Sequence, residues 1–79
     1  MNALEIYNSL FKEILSQDAE TLAELRYQDI PEWDSVGHMS LITAIEEAFD
    51  IMLESEDIID FSSWRKGIDI LKKYNVGMP

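Results

Sequence analysis

The stretch from Glu32 to Met39, which reads EWDSVGHM, holds the residues of this chain that are best suited to chemistry. Ser35 supplies a hydroxyl, and His38, the only histidine, follows three residues later, within reach on a helix. A hydrolytic serine also needs an oriented base and a glycine on each side in a strand-to-helix turn. Here Trp33 replaces one glycine, no strand precedes it, and no third group is set to orient the imidazole. We therefore expect no catalytic serine, and no enzyme activity of the chain alone.

Two other roles for this serine remain open. A short side-chain oxygen at a helix start accepts a hydrogen bond from the first-turn amides, so Asp34 or Ser35 could be a helix cap. The same amides and the positive end of the helix dipole favour a phosphate, so Ser35 is also well placed to carry a phosphodiester. Because no neighbouring group would activate the hydroxyl, a separate enzyme would have to modify it.

A metal centre is not expected. An acidic cluster follows the central helix, but it lacks the alternating ligands and central glycine of a calcium loop. Its members are Glu54, Glu56, Asp57 and Asp60. We interpret them as a solvated face. The absence of cysteine excludes disulfides, thiolate metal sites and a cysteine nucleophile.

Length and charge restrict the class of protein further. The 79 residues suit one domain, and the hydrophobic fraction of 47% is enough for a packed core. Between Glu13 and Asp60, fourteen acids face a single base, Arg26, and the net charge is −10. Such a field repels nucleic acid and anionic membranes and attracts proteins with basic surfaces. A surface that only confers solubility would have a similar composition.

The hydropathy pattern contains no apolar run near the roughly 20 residues that span a bilayer. The amino terminus also lacks the charged and apolar regions of a signal peptide. We expect a cytoplasmic monomer without stable membrane insertion.

Apolar periodicity predicts an all-α fold, a small four-helix bundle with three main helices and one short helix. The predicted spans are residues 3–16, 35–49, a single turn at 55–58, and a last helix that starts at Ser62 or Ser63 and ends at Asn75. Asn2 and Glu5 resemble a capping box. A long loop, residues 17–33, separates the first two helices and has room for one turn of helix. Loops of that length are often functional.

The core-facing stripes follow from the same spacing. On the first helix they comprise Leu4, Tyr7, Phe11 and Ile14, and on the central helix Met39, Ile42, Ile45 and Phe49, widened by Leu41 and Ala48.

The central helix resembles that of the acyl carrier proteins. The matching residues are Asp34-Ser35-Val36, Met39, Leu41-Ile42, Ala44-Ile45-Glu46-Glu47 and Phe49-Asp50-Ile51. The resemblance continues with Ser62-Ser63 before the last helix and covers nearly the whole chain. Gly37, Ser40 and Thr43 differ from the carriers of fatty-acid synthesis. Trp33 and His38 are more similar to stand-alone carriers of specialised pathways.

This resemblance implies that Ser35 carries 4′-phosphopantetheine, transferred from coenzyme A by a phosphopantetheinyl transferase. The thiol of the arm would hold acyl or aminoacyl groups as thioesters for acyl-activating and acyl-transferring enzymes with basic docking surfaces. An acyl chain could enter the apolar core. The docking residues would be Asp34, Val36, Gly37, Met39, Glu46 and Glu47. The alternative hypothesis is an unmodified acidic helical adaptor, or a degenerate carrier, in which Ser35 is only a cap.

Overall fold

The computed structural model of the protein describes residues 2–78, which contain five helices and no strand. They are α1 (Ala3–Leu15), α2 (Ala19–Leu22), α3 (Ser35–Phe49), α4 (Ser55–Asp60) and α5 (Trp64–Lys73). The predicted all-α class is confirmed. The three main helices and the short one lie within two residues of their predicted spans, and α2 is the single turn inside the long connection. The short helix α4 extends to Asp60, two residues past its predicted end, and α5 ends at Lys73, two residues before the predicted Asn75.

The helix ends follow the capping residues of the sequence. The Asn2 Oδ1 atom accepts a hydrogen bond from the Glu5 amide at 2.9 Å and starts α1. This helix ends one residue before the predicted position, because Ser16 adopts a left-handed conformation with φ 59°. Of the two candidate serines before α5, Ser63 is the cap, and its hydroxyl accepts from the Lys66 amide at 3.0 Å.

Four buried aromatic side chains from three segments form the centre of the core. They are Tyr7, Phe11, Trp33 and Phe61, each with no exposed surface. The ring of Phe11 packs edge-on against Trp33, with centroids 5.5 Å apart. The Tyr7 hydroxyl donates to the Trp64 carbonyl at 2.8 Å and so joins α1 to the start of α5. Burial raises the pKa of Tyr7 well above its usual value, which keeps this donor protonated.

The buried face of α3 is rotated relative to the predicted stripe. Leu41, Ile42 and Ile45 are buried, whereas Met39 is 49% exposed and Ala48 is exposed. The prediction that Met39 and Ala48 face the core is therefore wrong. The buried stripe faces α1, against which α3 mainly packs.

The long connection is fixed by backbone hydrogen bonds to the start of α5. The Tyr27 amide donates to the Ser62 carbonyl at 2.9 Å, and the Trp64 amide donates to the Leu25 carbonyl at 3.1 Å. The buried side chain of Trp33 then anchors the end of this segment directly before α3. The connection therefore has a defined path that positions the first residues of α3.

The acidic cluster is not a uniformly solvated face, because Asp57 is buried with only 7% of its surface exposed. Its carboxylate accepts hydrogen bonds from the Lys73 ammonium at 2.6 Å and the Tyr74 hydroxyl at 2.5 Å. The same hydroxyl accepts from the Glu54 amide at 3.0 Å. These bonds attach α4 to the carboxyl end of α5. The prediction for Asp57 is corrected accordingly.

Among residues 2–78, no helix has both the length and the apolar character needed to cross a membrane. Within the same range, no group of three or more histidine, cysteine or acidic side chains is arranged to hold a metal ion.

Candidate functional site

The start of α3 is capped by Asp34 and not by Ser35. The Asp34 Oδ1 atom accepts a hydrogen bond from the Gly37 amide at 2.8 Å, and the Asp34 carbonyl accepts from the His38 amide, also at 2.8 Å. Ser35 is the first helical residue. The alternative in which Ser35 serves as the cap is therefore wrong, and this structural explanation for the serine no longer applies.

The Ser35 side chain is exposed at the surface. Within residues 2–78, no hydrogen bond involves its hydroxyl. It stands at the positive end of the α3 dipole, where a negatively charged group is stabilised. The hydroxyl is thus open to an incoming enzyme and is not needed for the local fold.

His38 is half-buried, and both of its ring nitrogens are engaged. The Trp33 indole N–H donates to Nδ1 at 3.0 Å, so Nδ1 is the acceptor nitrogen. The proton of the neutral ring then lies on Nε2, which donates to the Ile58 carbonyl at 2.8 Å. In this arrangement neither nitrogen is free to accept a proton from Ser35.

A shallow groove runs along the solvent side of α3 from its first residue; we call it the α3 groove. It is lined by Ser35, Val36, Met39, Ser40, Thr43, Ala44 and Glu47. Its apolar side chains are well exposed, with Val36 at 73% and Met39 at 49%. The groove therefore presents an exposed apolar strip with an acid, Glu47, at its far end.

A cleft of about 320 Å³ lies on the other side of Ser35, between α3, α4 and the long connection; we call it the α3–α4 cleft. It is lined by Tyr27, Ser35, His38, Met39, Ile58, Ile59, Phe61 and Ser62. Ser35 and Met39 line both the cleft and the α3 groove. Ser35 therefore stands where an apolar cleft and an exposed surface meet.

The predicted docking residues separate into two groups. Val36, Met39 and Glu47 line the α3 groove, and Asp34, although it caps the helix, is exposed beside it. Gly37 and Glu46 have other contacts, described next, and line neither the groove nor the cleft.

Gly37 and Glu46 each hold a segment that flanks α3. A Cβ atom at Gly37 would overlap the Glu32 carbonyl oxygen, so the absence of a side chain lets the preceding loop lie against the helix. Glu46, although predicted to be a docking residue, is half-buried, and its carboxylate accepts a hydrogen bond from the Leu53 amide at 2.9 Å. It fixes the segment between α3 and α4.

Sequence reasoning did not identify the far wall of the cleft. Ile58, Phe61 and Ser62 belong to α4 and the residues after it, about twenty positions beyond the serine. The adjacent pair Ile58 and Ile59 could have indicated an exposed apolar surface on this short helix. Neighbouring residues on a one-turn helix cannot both face the core, and Ile59 is 78% exposed.

The comparisons with known proteins assign no family to the chain. No protein-family model matches it, and no curated protein or solved structure is significantly similar to it. Function must therefore be inferred from the residues of the site and their geometry.

Proposed function

We propose that this chain is a carrier protein that bears 4′-phosphopantetheine on Ser35 and presents acyl thioesters to partner enzymes. The observation that carries the proposal is the position of Ser35. Its exposed hydroxyl, which makes no hydrogen bond within residues 2–78, lies at the first position of α3, between the α3 groove and the α3–α4 cleft. A covalent arm attached there has a protein-binding surface on one side and an apolar cleft on the other.

The residues at the helix start suit the attachment reaction. The Ser35 oxygen forms a bond to the coenzyme A phosphorus that carries the pantetheine, and the bond from this phosphorus to the bridging oxygen breaks. Adenosine 3′,5′-bisphosphate leaves. The hydroxyl proton goes to a base of the transferase, because both nitrogens of His38 are engaged. The dipole of α3 favours the charge of the phosphodiester. When attached, the arm supplies the thiol that holds acyl groups as thioesters.

The α3–α4 cleft offers a place for the acyl chain. Its walls include Met39, Ile58 and Phe61, and each methylene group buried against such a surface contributes about 0.8 kcal/mol. A chain in the cleft would be shielded from water between encounters with enzymes. The acyl chain would leave the cleft when a partner enzyme offers it a larger apolar surface than the cleft does.

The α3 groove and the charge of the chain suit partners with basic surfaces. Val36 and Met39 provide exposed apolar contact area, and Glu47 lies in the same groove. The net charge of −10 accelerates encounters with positively charged enzymes. These features fit a transferase and acyl-handling enzymes that each bind the carrier briefly.

Intact-mass measurement tests the proposal. The purified chain, incubated with coenzyme A, magnesium and a broad-specificity phosphopantetheinyl transferase, should gain one phosphopantetheine, located on Ser35 by peptide mapping. Ser35→Ala should gain none. Ser40→Ala is the matched control, since Ser40 is a second exposed serine in the same groove, and it should be modified like the wild type. Modification of another residue would contradict the assignment.

The α3 groove also supports a second function, that of an unmodified acidic adaptor or degenerate carrier. Exposed Val36 and Met39 would then bind partners without any arm. The adaptor hypothesis predicts that several transferases leave the folded protein unmodified and that Ser35→Ala keeps full activity in the cell. The carrier hypothesis predicts that Ser35→Ala and Ser35→Asp are both inactive, because neither side chain can form the phosphodiester.

A further inference from the structure

His38 forms part of the wall between the α3–α4 cleft and the core. Its ring lines the cleft and stacks on the buried Trp33, with centroids 6.2 Å apart. It also packs edge-on against Tyr27, at 5.3 Å, and Phe61, at 6.0 Å. The imidazole and these two rings therefore form the inner wall of the cleft, and the buried Trp33 lies behind the imidazole.

Two hydrogen bonds hold this ring in place. On the core side, the Trp33 indole donates a hydrogen bond to Nδ1. On the other side, Nε2 donates a hydrogen bond to the Ile58 carbonyl of α4. The second bond connects α3 to α4 directly across the cleft. The imidazole thus closes the cleft on the side of the core, and its bond to Ile58 also sets the distance between α3 and α4 at this point.

The chemistry and size of the cleft restrict its contents. The eight residues that line it include no aspartate, glutamate, lysine or arginine, and its polar groups are the Ser35 and Ser62 hydroxyls, the Tyr27 hydroxyl and the His38 ring. An ammonium group would enter it without a charged partner, which is costly. A volume of about 320 Å³ is at the lower end for a ligand pocket. If a methylene occupies about the volume of a water molecule, roughly 30 Å³, the cleft holds about ten carbons.

We propose that His38 determines which cargo the carrier shelters. By closing the inner end of the α3–α4 cleft, it limits the sheltered group to an uncharged aliphatic acyl chain of at most about ten carbons. This inference rests on the proposed attachment of an arm to Ser35. It adds the class of cargo and the residue that selects it.

Protection of the thioester tests the chain length. The protein is first shown by intact mass to carry the arm, and is then loaded with acetyl, butyryl, hexanoyl, octanoyl, decanoyl, dodecanoyl or tetradecanoyl groups. The rate of cleavage by hydroxylamine is measured for each and divided by the rate for the same acyl group on free pantetheine, and this ratio is the measure of protection. Each methylene that enters the cleft should slow cleavage by up to about fourfold, and the effect should stop increasing near decanoyl. Leucyl, the amino analogue of isocaproyl, should be protected less than isocaproyl.

Two variants separate the role of His38 from general stability. His38→Ala removes the ring, and protection should extend by about two to four carbons, since the ring occupies about that volume. His38→Asn keeps an acceptor for Trp33 but cannot reach the Ile58 carbonyl, so it should remain folded and show a smaller extension in the same direction. Leu22→Ala is the control, because it shortens a buried side chain that does not line the cleft, and its length profile should match the wild type.

A second measurement does not depend on the arm. Unmodified protein labelled with a nitrogen isotope is titrated with hexanol, and the ring nitrogens of His38 and the amides of α4 should shift on binding. Identical length profiles in the wild type and both His38 variants would overturn the proposal, as would equal protection of leucyl and isocaproyl. Failure of the arm to attach, with hexanol still binding at His38, would contradict the carrier function and leave the cleft assignment standing.

Discussion

Asp34 and Ser35 are adjacent, but the structure gives them different roles at the start of α3. The Asp34 carboxylate bonds to the Gly37 amide and holds the first turn. The Ser35 hydroxyl is exposed and makes no hydrogen bond within residues 2–78. The exposed hydroxyl is thus separate from the carboxylate that caps the helix, so modification of the serine need not disturb the helix.

This division of roles predicts the stability of two alanine variants. Asp34→Ala should lower the free energy of unfolding by about 0.5–2 kcal/mol, because the Gly37 amide loses its partner. Ser35→Ala should change it by less than about 0.5 kcal/mol, as expected for an exposed side chain. Urea unfolding followed by circular dichroism measures both. A larger loss for Ser35→Ala than for Asp34→Ala would mean that the hydroxyl is the cap after all.

Gly37 is required by the close approach of the loop before α3. Gly37→Ala should lower the free energy of unfolding by about 1–3 kcal/mol, because the new methyl group would displace the Glu32 carbonyl. Gly77→Ala is the control, since a Cβ atom at Gly77 would meet nothing within 4 Å. Urea unfolding should show a clear loss for the first variant only. Equal stability of both variants would show that the loop can shift at little cost.

At the scale of elements, α4 is the short helix that forms the far wall of the cleft, and it is held at two points. His38 bonds to its Ile58 carbonyl from α3, and Asp57 bonds to Lys73 and Tyr74 at the end of α5. A six-residue helix has little stability of its own, so these tertiary contacts determine where it lies. The shape of the cleft therefore depends on both attachments.

The attachment through Asp57 should make stability depend on pH. The pKa of Asp57 is lowered mainly by the hydrogen bond from Lys73 and, to a smaller extent, by the hydrogen bond from Tyr74. The same bond to Asp57 raises the pKa of Lys73. The contribution of Asp57 is therefore present above the ordinary aspartate pKa of about 4 and is lost as the pH falls through the lowered value. The contribution of Lys73 is present below about pH 10 and is lost as the pH rises further.

Asp57→Asn tests this dependence, since asparagine keeps the shape and an acceptor for Tyr74 but loses the charge. The variant should be less stable than the wild type at neutral pH, and the difference should shrink steadily below about pH 4. Thermal unfolding of both proteins across the acid range measures it. Asp60→Asn, a change at an exposed acid of the same helix, is the control and should follow the wild type more closely. A difference that does not vary with pH would contradict the role of the charge.

At the scale of the whole molecule, the acidic side chains produce a negative electrostatic field, and only some of these side chains lie near Ser35. Glu47 lines the α3 groove, whereas Glu46 is engaged with the Leu53 amide. Under the proposed function, electrostatic attraction would bring a basic enzyme to the acidic surface in general, and the α3 groove beside Ser35 would provide the specific contacts. Position as well as charge should therefore matter for a partner enzyme.

Charge reversal separates these two effects. If the transferase docks at the α3 groove, Glu47→Lys should lower its kcat/KM on the order of tenfold, because a repulsive charge would stand in that groove. Glu13→Lys makes the same change of net charge at an exposed position of α1 and should have a much smaller effect. Added salt should weaken the wild type more than Glu47→Lys. Equal losses in both variants would show that only net charge matters.

The all-α class, the helix positions and most helix ends could be predicted from the amino-acid sequence, because these features depend on neighbouring residues. Apolar spacing, the Asn2 and Ser63 caps and the left-handed Asn75, with φ 61°, all act within a few positions. The candidate serine was identified in the same local way, from its place at the start of an amphipathic helix.

Only the tertiary structure determined which side chains face which surface. The engaged carboxylate of Glu46 and the link from Trp33 through His38 to the Ile58 carbonyl each depend on contacts that apolar spacing does not encode. The cleft forms because α4 packs beside α3 some twenty residues further along the chain. Such contacts are selected by burial and hydrogen bonding in the folded molecule, which no periodicity in the sequence reveals.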